Sequence, residues 1–236
     1  PYTGETIQTF TQFTPSQVSA SITKAHKAFL SWKKTSFSER SNLMRSVAKG
    51  LREHKDKYAK TMTLEMGKPI AQAKAEIDKC AWLCEYYADT AEQHLTSKII
   101  KTDAAKSYVN YEPIGVVLAV MPWNYPFWQV FRFIVPALMA GNVGVLKHAS
   151  NVMGCAEHIE AVFINAGFPK HCFQNLPISS SKVEAIIRHK HIKAVTLTGS
   201  KPAGSMVASV SGEEIKKSVL ELGGSNALVV FKDADI

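Results

Sequence analysis

Apolar residues recur at helical spacing from residue 14 to about residue 90 of this chain, and the spacing changes from residue 98 onward. Residues 2–13 alternate weakly, which predicts a short strand or an extended arm. Two capping boxes, at residues 14–17 and at Ser36 with Glu39, predict where the first helices begin. The helical faces lack clustered catalytic residue types, so this part of the chain is predicted to serve packing.

Residues 98–112 predict a β-hairpin, with strands at residues 99–102 and 107–111 around a turn at residues 103–106. An isolated hairpin is only marginally stable in water. We therefore expect it to pair with another sheet, in another subunit or in a further part of the protein.

Strand and helix patterns alternate from residue 116 onward. Residues 116–121 form an apolar run typical of a strand buried on both faces, and Pro126 can open the helix predicted at residues 127–140. Gly141 suits a left-handed helix end before a strand at residues 143–147, which predicts a parallel βαβ unit. The later predicted elements are helices at residues 153–166, 182–189 and 199–209 and strands at residues 171–176, 194–197, 218–222 and 227–231.

This alternation predicts an α/β fold: a Rossmann-like, doubly wound parallel sheet with an N-terminal helical region and a β-hairpin arm. The expected organisation is a helical part at residues 1–97, the hairpin at residues 98–112 and the Rossmann-like domain at residues 113–236.

The composition is that of an ordinary water-soluble protein, with 46% hydrophobic and 20% charged residues among 236. No apolar run approaches the roughly 20 residues of a membrane helix, and no secretory signal opens the chain. The four cysteines form no CxxC pair, so neither a zinc ribbon nor a thioredoxin motif is available, and no metal site is expected. A reduced, cytoplasmic protein without a membrane partner is the simplest interpretation.

A formal charge of +8 could indicate a nucleic-acid partner. The lysines are spread over helical segments without a sustained basic block or interleaved aromatic residues. This pattern favours solvated helix faces over nucleic-acid binding, and it is compatible with affinity for small anionic molecules.

Candidate chemistry lies where predicted strands end, because ligands of open α/β sheets bind beyond the carboxyl ends of the strands. Asn124 and Lys147 follow the first two strands of the βαβ unit. Residues 198–204 lead from a strand into a helix and form either an anion site suited to a diphosphate or an ordinary turn. Glu221, in an apolar context, is either a paired structural acid or a base whose pKa is raised by desolvation.

Four motifs occur together in this chain: Pro122-Trp123-Asn124-Tyr125-Pro126, Gly141-Asn142 leading to Leu146-Lys147, Thr198-Gly199-Ser200 with Gly204, and Leu220-Glu221-Leu222-Gly223-Gly224. Their order and spacing resemble the aldehyde dehydrogenase superfamily over nearly the whole chain. Residues 146–156 are most similar to a bacterial succinate-semialdehyde dehydrogenase branch. The resemblance implies oxidation of an aldehyde, succinate semialdehyde in that branch, to its carboxylic acid through a cysteine thioester with NAD or NADP. It also makes residues 1–97 and 113–236 parts of a cofactor-binding domain.

The resemblance also implies a role for each matching residue. Asn124 corresponds to the donor that stabilises the oxyanion, and Glu221 to the general base that activates water. The implied cofactor contacts are Lys147 with ribose hydroxyls, Gly199 and Ser200 with the diphosphate, Met121 and Trp123 along the cofactor cleft, and the main chain of Leu222 near the nicotinamide.

Arg132 lies on a predicted helix among apolar residues, where a lone cation is costly without an anionic partner. The resemblance implies that it binds the substrate carboxylate, and an exposed or salt-bridged arginine is the alternative. Ser150 replaces the acid that would hold an adenosine 2′-hydroxyl, so NADP should be tolerated. His148, in the same segment, is predicted to be an ordinary loop residue.

The resemblance implies a nucleophilic cysteine shortly after the Glu221 motif, and by that spacing we expect it just beyond residue 236. The four cysteines of the chain do not substitute for it, because Cys80, Cys84, Cys155 and Cys172 all suit small buried core positions. The chain is thus expected to be the cofactor-binding part of a cytoplasmic enzyme, inactive alone and homo-oligomeric in its full-length form through the hairpin. A stand-alone nucleotide-binding module without catalysis is the alternative, and a basic nucleic-acid binder is a third hypothesis.

Overall fold

The structure is a computed structural model that describes Pro1 and residues 3–235. Tyr2, the first residue of the predicted arm, and Ile236, the last residue of the predicted Rossmann-like domain, lie outside the described residues. Residues 3–13 contain no strand and form an extended arm, which the backbone N–H of Phe13 joins to the Pro177 carbonyl at 2.8 Å. None of the helices within the described residues is long and apolar enough to cross a membrane.

Four helices follow the arm: α1 (Pro15–Trp32), α2 (Phe37–Glu53), α3 (Lys55–Met66) and α4 (Ile70–Leu95). Both predicted capping boxes are present, with Thr14 and Ser36 as N-cap residues. Gly67 ends α3 in the left-handed conformation, at φ +81°. The buried stripes of these helices join one continuous core with the sheet, which confirms their predicted packing role.

The hairpin consists of β1 (Lys98–Ile99) and β2 (Tyr108–Val109), which are antiparallel. Its strands are shorter than predicted because the hairpin pairs with no other strand among the described residues. Its apolar side chains remain exposed, Ile99 at 72% and Tyr108 at 51%.

The main sheet contains β3 (Val116–Val120), β4 (Val143–Lys147), β5 (Phe173–Asn175), β6 (Ile192–Gly199) and β7 (Lys217–Leu222), all parallel. Their spatial order is β5-β4-β3-β6-β7, so the first strand of the sheet is central and the chain winds outward to both sides. Counted from the first strand of the sheet, this order is 3-2-1-4-5, which matches five of the six strands of the Rossmann-type doubly wound fold. The predicted α/β class is confirmed.

The connecting helices are α5 (Trp128–Met139), α6 (Met153–Asn165), the short α7 (Val183–Ile187) and α8 (Lys201–Glu213). Helix α5 contacts β4, α6 contacts β5, and α8 contacts β6 and β7. Gly141 follows α5 at φ +85°, as predicted for a left-handed helix end.

The strand predicted at residues 227–231 is wrong, because the structure has no strand there. Leu228 is 89% exposed and Phe231 is 73% exposed. A strand requires a hydrogen-bonding neighbour, and this segment has none among the described residues.

Candidate functional site

Four strands end side by side in the main sheet. Lys147 on β4 pairs with Val120 on β3, Val120 pairs with Leu197 on β6, and Leu197 pairs with Leu220 on β7. At about 4.8 Å between neighbouring strands, this row spans about 14 Å. The winding direction reverses between β3 and β6, which is where open α/β sheets bind ligands.

The loop of residues 121–127 leaves β3 at this point. Trp123, Asn124 and Tyr125 are exposed. The Oδ1 atom of Asn124 accepts a hydrogen bond from the backbone N–H of Tyr125 at 3.1 Å. Among the described residues, the Nδ2 donor of Asn124 has no hydrogen-bond partner. The Asn124 side chain is thus oriented by its own loop and keeps a free amide donor.

A backbone hydrogen bond joins the start of this loop, at Met121, to Lys147 at the end of β4. The backbone N–H of Met121 donates to the Lys147 carbonyl at 3.1 Å. The Met121 side chain is 4% exposed, whereas Trp123 is 51% exposed. Burial lowers the pKa of Lys147, whose ammonium group is therefore partly removed from water. A half-buried ammonium group without an ion-pair partner among the described residues suits a hydroxyl-bearing or anionic ligand.

Ser200 forms the turn between β6 and α8. It is the N-cap residue of α8, and its Oγ accepts from the Ala203 N–H at 3.5 Å. Pro202 has no N–H, and the N–H groups of Ala203 and Gly204 already donate to Ser200, so an anion at this end would meet the Lys201 N–H and the helix dipole. Gly204 lets α8 approach β7, since a Cβ there would lie 2.5 Å from Cδ2 of Leu222. The segment that begins at Gly199 can therefore serve as the predicted diphosphate site.

Glu221 and Arg132 form an ion pair across the site, with 3.6 Å between Arg132 Nη2 and Glu221 Oε2. Their side chains are 57% and 40% exposed. Of the alternatives left open by the sequence, the structure therefore has Glu221 as a paired, exposed acid and Arg132 as an exposed, salt-bridged arginine. The reason is that β7 is an edge strand, so the face that carries Glu221 is open to solvent in this chain. The pair borders a cavity of about 400 Å³ together with Thr198.

Ser150 lies apart from this pair. It begins a single 3₁₀ turn, Ser150–Val152, three residues beyond β4. It borders a cavity of about 230 Å³ together with Pro177 and Ile178. The predicted site residues thus fall into two groups, with Ser150 on the β4–β5 side and Glu221 with Leu222 on the β7 side.

All four cysteines are free and buried, as predicted for small core residues. Burial raises the pKa of each thiol, and it raises that of Cys172 to about 12. A buried, protonated thiol is a poor nucleophile. In the part of the chain that the structure describes, no cluster of three His, Cys, Asp or Glu side chains could hold a metal ion.

Two buried polar residues behind the Asn124 loop were missed by the sequence analysis. His148, predicted to be a loop residue, is 0% exposed and contacts Met121 and Pro126. Glu76 is 4% exposed on α4 and accepts from the N–H groups of Phe127 and Trp128, both at 2.9 Å. The sequence does carry a signal for Glu76, which stands at helical spacing between the buried Ala73 and Cys80.

A five-stranded parallel sheet with helices between its strands and polar residues at its switch point defines an open α/β protein of the Rossmann type. Within that class, the chain belongs to the aldehyde dehydrogenase family, whose sequence pattern matches residues 1–236.

Several relatives are succinate-semialdehyde dehydrogenases. The chain is 50% identical to a probable NADP⁺-dependent enzyme of this name from Synechocystis and covers 100% of itself and 52% of that protein. It is also 50% identical to the NADP⁺ enzyme of Mycobacterium avium, of which it covers 51%. The chain thus spans about half the length of the curated relatives it matches.

Solved structures agree with this assignment. The succinic semialdehyde dehydrogenase of Streptococcus pyogenes in complex with NADP⁺ superposes with a TM-score of 0.92 at 38% identity, over 97% of this chain and 50% of that one. A betaine aldehyde dehydrogenase variant from Staphylococcus aureus in complex with NAD⁺ gives 0.93 at 29% identity, over 100% and 49%.

Proposed function

We propose that this chain is the cofactor-binding half of an NADP-dependent dehydrogenase that oxidises succinate semialdehyde to succinate. Its 50% identity to enzymes of that name supports the substrate and the cofactor. The observation that carries the proposal is the free amide donor of Asn124 at the switch point of a parallel sheet. It lies between a helix N-terminus suited to a diphosphate and the half-buried Lys147.

In this proposal Asn124 stabilises the oxyanion that forms when a cysteine thiolate attacks the aldehyde carbon. A fixed N–H donor suits this task because its hydrogen bond becomes stronger as negative charge develops on the aldehyde oxygen. The Tyr125 N–H already occupies Oδ1 of Asn124, so the amide keeps its Nδ2 hydrogens for the oxyanion. We propose that the cysteine comes from a part of the protein outside this chain, because the chain covers only 52% of the Synechocystis relative and its own four cysteines are buried.

Glu221 is proposed to accept a proton from the water that releases the acid, and Arg132 to bind the substrate carboxylate. Their ion pair consists of one contact, 3.6 Å from Arg132 Nη2 to Glu221 Oε2, and both side chains are about half exposed. Such pairs contribute little stability. Arg132 can therefore exchange Glu221 for a substrate carboxylate, which its guanidinium can bind through two parallel hydrogen bonds.

The residues around the switch point fit a nicotinamide dinucleotide, because the positive end of the α8 dipole lies at the end of β6 and the ammonium group of Lys147 lies at the end of β4. Gly199 and Ser200 would hold the diphosphate and Lys147 the ribose hydroxyls, beside Met121, Trp123 and Leu222. The bound cofactor would accept the hydride from the substrate. Ser150 brings no negative charge to its cavity, which supports use of NADP as well as NAD.

We further propose that the whole protein is a cytoplasmic homo-oligomer that uses the hairpin of residues 98–112 as a contact arm. The exposure of Ile99 and Tyr108 on this hairpin supports the role, because exposed apolar strands favour pairing with another chain. Size determination of the whole protein with Ile99 and Tyr108 replaced by lysine tests it, and an unchanged mass would contradict it.

The test of function is the oxidation of succinate semialdehyde by the complete gene product, followed through the absorbance of reduced cofactor. We expect activity with NADP and a loss of about 10²–10³-fold in kcat for Asn124→Ala, the usual effect of removing an oxyanion donor. Cofactor binding without oxidation of any aldehyde would favour the stand-alone nucleotide-binding module instead. Binding of neither cofactor would refute both.

A further inference from the structure

The imidazole of His148 holds one particular peptide group of the Asn124 loop. The N–H of Ala149 donates to Nδ1 of His148 at 2.9 Å, so Nδ1 acts as an acceptor. The proton is therefore on Nε2, which lies 2.9 Å from the Pro126 carbonyl oxygen and donates to it. The Met121 carbonyl, 3.3 Å from Nδ1, is a close contact and not a second hydrogen bond in this tautomer. Burial lowers the pKa of His148 to about 4, so the ring is neutral near pH 7.

The same peptide group is held from its other side by Glu76. The Pro126 carbonyl accepts from His148, and the Phe127 N–H, which belongs to the same peptide bond, donates to Oε1 of Glu76 at 2.9 Å. A peptide unit is planar. A donor on its oxygen and an acceptor on its hydrogen therefore fix the rotation of the whole plane, two residues beyond Asn124.

Lys68 completes the support behind the loop. It forms an ion pair with Oε2 of Glu76, and both side chains are almost fully buried. The Lys68 ammonium also lies 3.6 Å from the ring centroid of Tyr125, the residue whose N–H orients the Asn124 amide. The exposed tip of the loop is thus joined to buried, fully engaged polar groups, which are costly to rearrange.

We propose that His148 is a positioning residue for Asn124, because it locks the Pro126–Phe127 peptide against Glu76 and so sets the direction of the amide donor. This inference rests on the proposed role of Asn124. It assigns a function to a buried residue that the sequence predicts to be an ordinary loop residue. Loss of the Nε2 donor should misdirect Asn124 while leaving the cofactor contacts of β4 in place.

Two substitutions distinguish the roles of the two ring nitrogens of His148. In His148→Gln the side-chain amide can reach the position of Nε2 and donate to the Pro126 carbonyl. In His148→Asn the shorter side chain can replace the Nδ1 acceptor but cannot reach that carbonyl. His189 offers a matched control, because its Nδ1 also accepts a backbone N–H, from His191 at 3.2 Å. It precedes β6, at the end of the sheet opposite the site.

The experiment measures kcat, KM, the dissociation constant for NADP and the melting temperature of the complete gene product. We expect His148→Asn to lower kcat about 10- to 100-fold, the cost of misplacing a catalytic group by about 1 Å. NADP affinity should stay within about threefold, and His148→Gln should recover most of kcat. The two His189 substitutions should leave kcat unchanged. Equal kcat values for the Asn and Gln variants, or a loss of kcat matched by a loss of NADP affinity, would overturn the proposal.

Amide hydrogen exchange at Phe127 tests the same inference without turnover. In the unmodified protein this N–H should be protected through Glu76, and His148→Asn should speed its exchange whereas His148→Gln should not. Unchanged protection in His148→Asn would refute the locking of the peptide. An unmodified protein that protects Phe127 but oxidises no aldehyde would refute the proposed function alone.

Discussion

Lowering the pH should destabilise the fold through His148. Its imidazole is 0% exposed, and burial lowers its pKa from 6.5 to about 4. The unfolded chain therefore takes up a proton on this residue at a higher pH than the folded chain does. The free energy of unfolding must fall as the pH decreases through the interval between those two values, and His148 contributes no pH dependence well above it.

The size of this effect follows from the two pKa values of His148. The pKa is 6.5 in the unfolded chain and about 4 in the folded chain. At about 1.4 kcal/mol for each pKa unit, this difference corresponds to about 3 kcal/mol in the free energy of unfolding. Domains of ordinary stability unfold with only about 5–15 kcal/mol. This single imidazole can therefore remove a large fraction of the stability near pH 4.

The measurement is urea unfolding, followed by tryptophan fluorescence, between about pH 7 and pH 4 for the unmodified protein and for His148→Gln. Other histidines whose pKa is lowered, such as His158 and His189, titrate in both proteins and cancel in the comparison. The unmodified protein should lose about 3 kcal/mol more than the variant over this interval. Parallel stability curves would show that His148 is not buried in its neutral form, and the argument would fail.

The remaining predictions concern the cofactor, the substrate and the sheet. Ser150→Glu should shift binding from NADP toward NAD by at least about tenfold, or about 1.4 kcal/mol, because a carboxylate repels the 2′-phosphate; an unchanged ratio of dissociation constants would count against this role. Arg132→Ala in the complete gene product should reduce kcat/KM for succinate semialdehyde far more than for an uncharged aldehyde of similar length, and equal losses would exclude the carboxylate contact. Gly144→Ala should lower the free energy of unfolding by about 1–3 kcal/mol, because the new methyl group would collide with the fully buried Ile134. Gly212→Ala is the control and should be neutral or slightly stabilising, because a methyl group there would meet no atom within 4 Å. Similar effects of the two substitutions would contradict the packing argument.

Local signals made much of the fold predictable from sequence. The strand Val143–Lys147 was predicted with its observed bounds, because an apolar run follows a glycine that can adopt a left-handed helix end. Residues 227–231 have an equally apolar pattern but form no strand. A strand forms only if another strand accepts and donates its hydrogen bonds, and no local pattern carries that information.

The support behind the candidate site was not predictable for a related reason. Glu76 is 51 residues from the N–H group of Phe127 that it accepts from, and His148 is 22 residues from Pro126. Each looks unremarkable in its own segment. Only the packing of α4 against α5 and the position of β4 beside β3 bring them to one peptide bond. The exposure of Arg132 and Glu221 was likewise decided by the edge position of β7, which follows from the order of the strands.

The end of β4 positions both Lys147 and the Asn124 loop. The Lys147 carbonyl accepts from the Met121 N–H at 3.1 Å, and the next side chain donates to the Pro126 carbonyl. The Asn124 loop is thus held at its start by the backbone of β4 and at its end by the imidazole of His148. Because β4 is an inner strand paired with both β3 and β5, a shift of its backbone would move Lys147 and the loop together. A substitution at His148 that changes kcat but not NADP affinity can therefore act only through the side chain, which is why the two measurements must be made on the same variants.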